Sequence, residues 1–539
     1  MVENGVVGKL RVLQWPIWYR VVDLRRSVKQ CCPAPSPVPN RFLNYVLTAR
    51  KYEGYLDKIW TQCFKVMDDI KGTVRIAAFA LARVLTGILT KSLEAGSGSS
   101  KNAEALLQRV IPFLLSESGI ESSAKEVQVF AIVTLLDIIK KSGAKTLRPH
   151  IPELIERLLG LHSSLEPEAV NYLHLNASKY NTTETEIDDQ RLKMVRMSPI
   201  SEAIERCLDR LDDATMAETA PRLESAMKTA LGLPTKVGCS RVLVSLSTRH
   251  NFIFRPFADR FLQLIEKIIL DRNDTVSTSY AAAAGYVARV STDNQLLKTI
   301  AFAQKLYFQS DDARSRLIAG DMVYAISKHA SDRFTSVAAE VLPFVFVAKH
   351  DSDEQVREAF EKTWSENVGG SRSVILYLKE IMSLAQQYLE SPKWVLKHTS
   401  ARAIAEAVTS TASTIEDISL SNAELCWPAI EKAMAGKTWE GKEVVLKAFA
   451  RFVERGSNLW KSKPTVAAEI KKIAVREAKR QNKPYRPFAI RALGQIAASR
   501  TDIDMSQSVF DVVEPVIDEF SGDDAMDVDG EPGAKREKL

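Results

Sequence analysis

The chain has 539 residues, 45% of them hydrophobic and 8% aromatic, with 73 basic against 67 acidic residues and a net charge of +6. That length allows several domains or one extended array with a large core, and so mild a charge balance does not point to a dedicated nucleic-acid binder. The six cysteines, Cys31, Cys32, Cys63, Cys207, Cys239 and Cys426, are too sparse for a disulfide framework and form no zinc-spaced pair, which fits a reducing, intracellular compartment.

Residues 1–50 show no clear period. Their apolar run is broken by Gln14, Pro16 and Arg20, a poor signal peptide, and the proline-dense CCPAPSPVPN at 31–40 ends any helix. A poorly ordered segment is expected there. From residue 51 the pattern becomes helical. In DDIKGTVRIAAFALARVL, residues 68–85, Val74, Ala77, Ala78, Leu81, Val84 and Leu85 recur at spacings of three and four and predict one apolar stripe. No run of about 20 apolar residues stands out, so no membrane-crossing helix is expected.

The same pattern returns at 271–290, 311–330, 350–368, 390–408, 436–453 and 482–499, with apolar partner helices between, among them FADRFLQLIEKIIL, VAAEVLPFVFVAKH and LCWPAIEKAM. Taking Val276, Ala313, Val356 and Val395 as equivalent gives intervals of 37, 43 and 39 residues, in or just below the roughly 40–47 of HEAT or armadillo units. Asp68 or Asp69 and Asp353 are placed to cap or charge helix starts, valine enters the core, and Arg357 is placed to pair with an acid of the neighbouring repeat. The expected fold is all-α, a HEAT/armadillo-like α-solenoid of stacked antiparallel helix pairs over residues 51–517.

Three loops interrupt it. LEAGSGSSKN at 93–102 is Gly/Ser-rich, residues 174–195 read as an exposed polar insertion, and 518–539 form an acidic tail with too few apolar residues to order.

The stretch GLPTKVGCSRVLVSLSTRH at 232–250 raises a phosphate loop and a nucleophile. Gly232 and Gly238 are one residue too far apart for a P-loop, and Cys239 stands where its lysine belongs. As a nucleophile Cys239 lacks a base, His250 being eleven positions on, so a buried structural cysteine is expected. The histidines make no zinc motif. Asp68–Asp69 and Asp212–Asp213 read as caps or solvated charge, and REAKRQNKPYRP at 476–487 as a solvated helix face before a proline turn. Trp364, Trp394, Trp427 and Trp439 follow the repeats and are expected in repeat cores or interfaces. The sequons at Asn176, Asn181 and Asn273 are expected as chance matches. No catalytic, cofactor-binding or metal-binding residue is named, no cofactor, small-molecule substrate or nucleic acid is expected, and the protein-binding residues are left open.

Five phrases in order, LGLPTKVGCSRVLVSLS at 231–247, DRNDTVSTSYAAAAGYVAR at 271–289, WSENVGGSRSVILYLKEI at 364–381, SPKWVLKHTSARAIA at 391–405 and AGKTWEGKEVVLKAFA at 435–450, with MDDIKGTVRIAA at 67–78, resemble the family of large HEAT-repeat proteasome adapter and scaffold proteins over residues 51–510. The resemblance implies a non-enzymatic scaffold that bridges the proteasome's regulatory and core particles and supports assembly and quality control, in cytoplasm and nucleus. It places Pro234 at a helix start, Gly238 at a close helix contact, and Cys239, Val242, Val244 and Leu246 against neighbouring helices. Family members are several times longer, so a truncated product or misassigned start is expected, with a raw solenoid end near residue 51 and reduced solubility. The ending KREKL is not a pocket-docking tail, so binding is expected through the solenoid surface. A nuclear-transport receptor is the alternative HEAT protein, although those tend to be acidic. An enzyme is the third reading, for which no constellation argues.

Overall fold

A computed structural model describes residues 56–94, 100–164, 172, 174–368, 370–412, 417–500 and 502–524. The expectations for residues 1–50, and the glycine- and serine-rich core of the 93–102 loop, lie outside these. Among the described residues every regular element is helical. The chain divides between Gln295 and Leu296 into two compact units.

The first unit contains α1 (Leu56–Val66), α2 (Gly72–Glu94), α3 (Ser100–Leu115), α4 (Lys125–Lys141), α5 (Ala144–Leu147), α6 (Ile151–Ser164), α7 (Glu184–Arg196), α8 (Pro199–Leu208), α9 (Asp213–Thr229), α10 (Leu233–Arg249), α11 (Asn251–Ile268) and α12 (Asp274–Ala288). Helix α13 (Asp293–Gln309) crosses the division. The second unit continues with α14 (Ala313–His329), α15 (Ser331–Ser336), α16 (Ala338–Ala348), α17 (Glu354–Asn367), α18 (Ser371–Leu376), α19 (Leu378–Leu389), α20 (Trp394–Thr411), α21 (Leu420–Ala433), α22 (Lys442–Arg455), α23 (Ser457–Ser462), α24 (Pro464–Ala478), α25 (Arg486–Ser499) and α26 (Ser506–Asp524).

Within each unit, corresponding helices stack on one another: α6 on α10 and α10 on α12 in the first, and α14 on α17, α20 on α22 and α22 on α25 in the second. Partner helices pack back on them, α11 on α12, α16 on α17 and α21 on α20. The N-caps of α10, α12, α14, α17, α20, α22 and α25 are Gly232, Asn273, Asp312, Asp353, Lys393, Gly441 and Tyr485, at intervals of 41, 39, 41, 40, 48 and 44 residues. These caps mark the period more evenly than the four anchors read from sequence. Val276 and Val356 are fully buried, but Ala313 and Val395 lie only half-buried in the first turn of their helices.

The turns before α12 and α17 are each built from one aspartate. Asp271 Oδ1 accepts the Asn273 N–H at 3.0 Å, and Asp351 Oδ1 accepts the Asp353 N–H at 2.9 Å. The cap side chain then accepts the third N–H of the helix, Val276 from Asn273 and Val356 from Asp353. The other oxygen faces a cation from the preceding stacking helix: Lys236 Nζ lies 2.5 Å from Asp271 Oδ2, and Arg316 Nε 2.9 Å from Asp351 Oδ2. Arg357 does not reach an acid of the neighbouring repeat as expected. Its guanidinium donates to the Asp351 carbonyl at 3.2 Å and closes its own turn, as Arg75 does at the Asp69 carbonyl at 2.8 Å.

In α2 the buried stripe is Ala78, Ala82, Leu85 and Leu89; Ala78 and Leu85 were read from the sequence, whereas Val74, Leu81 and Val84 are only half-buried and Ala77 is exposed. This helix is apolar on most of its circumference, so spacing alone does not fix the core face. Gly72–Lys91 is also long and apolar enough, by length and composition, to cross a membrane. That run was missed because Arg75 and Arg83 interrupt it. Here α2 packs against α1 and α4. The expected insertion at 174–195 is instead a docked element. Thr183 and Glu186 form a capping box at the start of α7, and buried Asp188 accepts from Asn273 Nδ2 at 2.8 Å. Asn273 therefore joins two elements through its carboxamide. At the C-terminal end α26 continues to Asp524, six residues past the expected start of the tail at 518.

Asp351 is wholly buried and also accepts from the Tyr307 hydroxyl at 2.8 Å, joining α13, α14 and α17. Replacing it by alanine leaves Arg316 charged, buried and without its counter-ion, a class of change that costs about 3–5 kcal/mol. Urea unfolding of Asp351→Ala is expected to show that loss, and a midpoint within error of the parent would refute the assignment.

Candidate functional site

The 232–250 stretch is helix α10 and the turn before it. Gly232 has φ +78° and ψ 151°, a conformation open in practice to glycine alone. Pro234 sits in the first turn, where its missing N–H costs nothing. A Cβ on Gly232 would lie 2.6 Å from Ser163 Oγ, and that oxygen accepts the Thr235 N–H at 3.2 Å and pairs with Thr235 Oγ1 at 2.8 Å. A Cβ on Gly238 would lie 3.1 Å from His162 Cδ2 and 3.2 Å from Leu159 Cδ2. The glycines thus let α10 approach α6, as the resemblance implied for Gly238.

Cys239, Val242 and Leu246 are buried as expected. Val244 is only half-buried, and Leu243 takes the core position beside it. Burial pushes the Cys239 thiol up to about 12, so it stays protonated and unreactive. His250 closes the far end of α10, about 16 Å along the axis at 1.5 Å per residue. Among the described residues no three His, Cys, Asp or Glu side chains group closely enough to hold a metal ion.

The carboxylate pairs serve helix starts. Asp212 accepts from the Thr215 N–H at 3.0 Å and from its hydroxyl at 2.7 Å, and these bonds hold its carboxyl below the usual range. Asp69 Oδ1 accepts the Lys71 N–H at 2.8 Å.

The basic run at 476–487 departs from its solvated reading, because Glu477 and Tyr485 are buried. Glu477 receives Arg480 Nε at 2.7 Å, Arg476 Nε at 3.1 Å, Lys442 Nζ at 3.2 Å and the Tyr485 hydroxyl at 3.1 Å. Burial opposes its charge, but the Arg480 hydrogen bond and the Lys442 charge outweigh it and hold the carboxyl below its usual range. Burial lowers the Lys442 amine to about 8 despite the opposing pull of Glu477. Only one acid stands in this run, and three helices, α22, α24 and α25, turn their polar groups towards it.

The four tryptophans divide. Trp364 is buried against Phe346, with Lys349 over both rings. Trp427 is half-buried beside Phe452. Trp394 is 69% exposed, so a repeat core does not hold it. His398 stacks on Trp439 with ring centres 4.0 Å apart and planes 8° from parallel, and lies 5.8 Å from Trp394. Lys397 sits over Trp394, and Arg402 over Trp439.

This aromatic group opens a row of exposed side chains on the α20–α22–α25 stack. The helices present ARAIA at 401–405, LKAFA at 446–450 and IRALG at 490–494 in the same register. In each segment the large fourth residue, Ile404, Phe449 or Leu493, is buried, while the second lies on the outer side, Lys447 and Arg491 exposed and Arg402 half-buried over Trp439. Val444 and Phe488, three positions before Lys447 and Arg491, are exposed by 50% and 48%. Nothing in the sequence pattern marked this row, because it depends on which faces of three helices are left uncovered.

Sequence comparison identifies the repeats. Residues 147–308 match the HEAT-repeat domain of the proteasome adapter and scaffold protein ECM29, and residues 453–539 match the C-terminal ARM-like repeats of ECM29. The chain belongs to the ECM29 family. It is 32% identical over 488 residues to the human proteasome adapter and scaffold protein ECM29, covering 88% of this chain and 26% of that protein. To the Saccharomyces cerevisiae proteasome component ECM29 it is 30% identical over 448 residues, covering 81% of this chain and 23% of that one. The Schizosaccharomyces pombe proteasome component is 28% identical over 453 residues, 83% and 26% of the respective chains. The chain thus spans about a quarter of the length of the curated relatives it matches. This decides between the two HEAT families weighed from the sequence.

Two outcomes follow from the α6–α10 contact. Gly232→Ala is expected to lose about 1–3 kcal/mol in denaturant unfolding, from backbone strain and the contact with Ser163; an unchanged midpoint would refute it. Buried His162 is lowered to about 4, by desolvation first and then by Arg241. Its folded pKa lies below the unfolded value, so stability is full above about pH 6.5 and falls as the pH drops towards 4. By pH 5 the loss is about 2 kcal/mol, and a His162→Gln variant should lose that much less over the same interval. Parallel profiles for the two proteins would remove His162 as the cause.

Proposed function

We propose that this chain acts as a non-enzymatic adapter that binds proteasomes, helps hold the regulatory and core particles together, and supports their assembly or quality control in cytoplasm and nucleus. The observation that carries the reading is the pair of ECM29 matches, which fall on the helical repeats of both units. Stacked repeats contact only their neighbours and leave a long surface able to touch two bodies at once. The buried, protonated Cys239 and the capping roles of the aspartate pairs favour a structural part for the residues that most resembled catalytic ones.

Affinity capture of the tagged full chain from cell lysate, with mass spectrometry of the bound proteins, tests the reading. Core and regulatory subunits are both expected at levels that survive 150 mM salt, a condition under which weak surface charge contacts are screened within about 8 Å. A chain that is helical by circular dichroism and captures neither particle would overturn it.

A further inference from the structure

The α20–α22–α25 face is exposed, aromatic at one end and basic along its length. Arg402, Lys447 and Arg491 form no ion pair among the described residues, whereas Lys463 of the same unit pairs with Glu424 at 2.6 Å. Arg402 gives one bond, to the Glu440 carbonyl at 3.3 Å, and keeps its remaining donors. Beside the cations stand the exposed side chains of Trp394, Val444 and Phe488. Each helix therefore offers an exposed apolar contact and at least one cation, α20 carrying Lys397 as well as Arg402.

The spacing selects the shape of the occupant. Packed helices lie about 8–10 Å apart, and an extended chain advances about 3.3 Å per residue. A segment in the polyproline II conformation, which advances about 3.1 Å per residue and turns the same side to a surface every third residue, meets a new helix at each such residue when laid across the three. A base-stacking ligand fits less well, because the Trp439 ring is already stacked on His398.

We propose that this face docks an extended acidic peptide segment of a partner protein, whose carboxylates meet Arg402, Lys447 and Arg491 while apolar side chains at every third position rest on Trp394, Val444 and Phe488. The proposal names the chemistry of the partner segment for the adapter reading and rests on that reading for the partner being a protein. Exposed tryptophan and arginine are the side chains that most often dominate such contacts.

The test uses the full chain and a fluorescein-labelled synthetic peptide of about twelve residues, glutamate with leucine at every third position, long enough to cross the three helices. Fluorescence anisotropy is expected to show binding that weakens with salt, falls about tenfold or more in an Arg402→Glu, Lys447→Glu, Arg491→Glu variant, and falls in Trp394→Ala, Phe488→Ala at unchanged helicity. Unaltered binding by the charge-reversed chain would overturn the proposal, as would equal binding of the peptide with lysine in place of glutamate, or displacement by a single-stranded RNA of similar length at equal concentration. Binding that emerges only after residues 518–539 are deleted would also overturn it, making this chain's own acidic segment the occupant. Proteasome capture is measured in parallel. A charge-reversed chain that loses the peptide but keeps proteasomes removes this face from the adapter contact. A parent chain that binds the peptide but captures no proteasomes sinks the adapter reading and leaves the peptide site standing.

Discussion

Two of the stacking helices, α12 and α17, depend on an aspartate in the turn before them. Asp271 and Asp351 each use one carboxylate oxygen to hold a backbone N–H at the helix cap and the other to hold a cation from the helix before. Local and inter-helix geometry are thereby set by one side chain. A helix start leaves backbone N–H groups without partners, and the turn before it reverses the chain under the next repeat. Tying both to one carboxylate fixes where the next helix begins. Apolar burial supplies the larger share of stability, but it is non-directional and would tolerate a helix sliding by a turn. The ion pair resists that slip.

The same logic produces the polar cluster at Glu477. Lys442, at the start of α22, lies wholly inside the stack, and a lone buried ammonium would be intolerable. Glu477 answers it, and Arg480, Arg476 and Tyr485 complete the shell while backbone carbonyls of Gly436 and Met434 take the remaining donors. Such a network is stable only when every member is present. It therefore behaves as one unit linking α22, α24 and α25, the helices that also carry two-thirds of the basic row.

A protein made this way leaves its function to its surface. The inward residues of α20, α22 and α25 are committed to small and apolar packing, Ala403, Ile404, Ala448, Phe449, Ala492 and Leu493 among them. The outward positions are free of that demand and can take tryptophan, lysine or arginine without cost to the stack. Adapter behaviour asks for this separation, since contacts with a partner can form on one face while the core remains unchanged.

The helical class and the repeat period near 40 residues were legible in the sequence, because apolar spacing and cap residues are local and recur, and the family was legible in the ordered phrases the chain shares with it. The burial of Cys239 was expected from the lack of a base beside it, and the place of Pro234 from the family resemblance. Three things were not legible. In α2 the apolar residues run around the helix, so only contact with α1 and α4 selected Ala78, Ala82, Leu85 and Leu89 as the core stripe. The 174–195 segment is polar enough to look exposed, yet Asp188 is buried because Asn273, 85 residues on, donates to it. Trp394 follows the repeat pattern of the buried tryptophans, yet it projects to solvent at the first position of α20. The sequence by itself determined which segments form helices and how often they return, since backbone propensity and capping act over a few residues. Only the tertiary structure decided which face of each helix is covered, which charges meet inside, and which side chains remain outside for a partner, because those depend on groups brought together from tens of residues away.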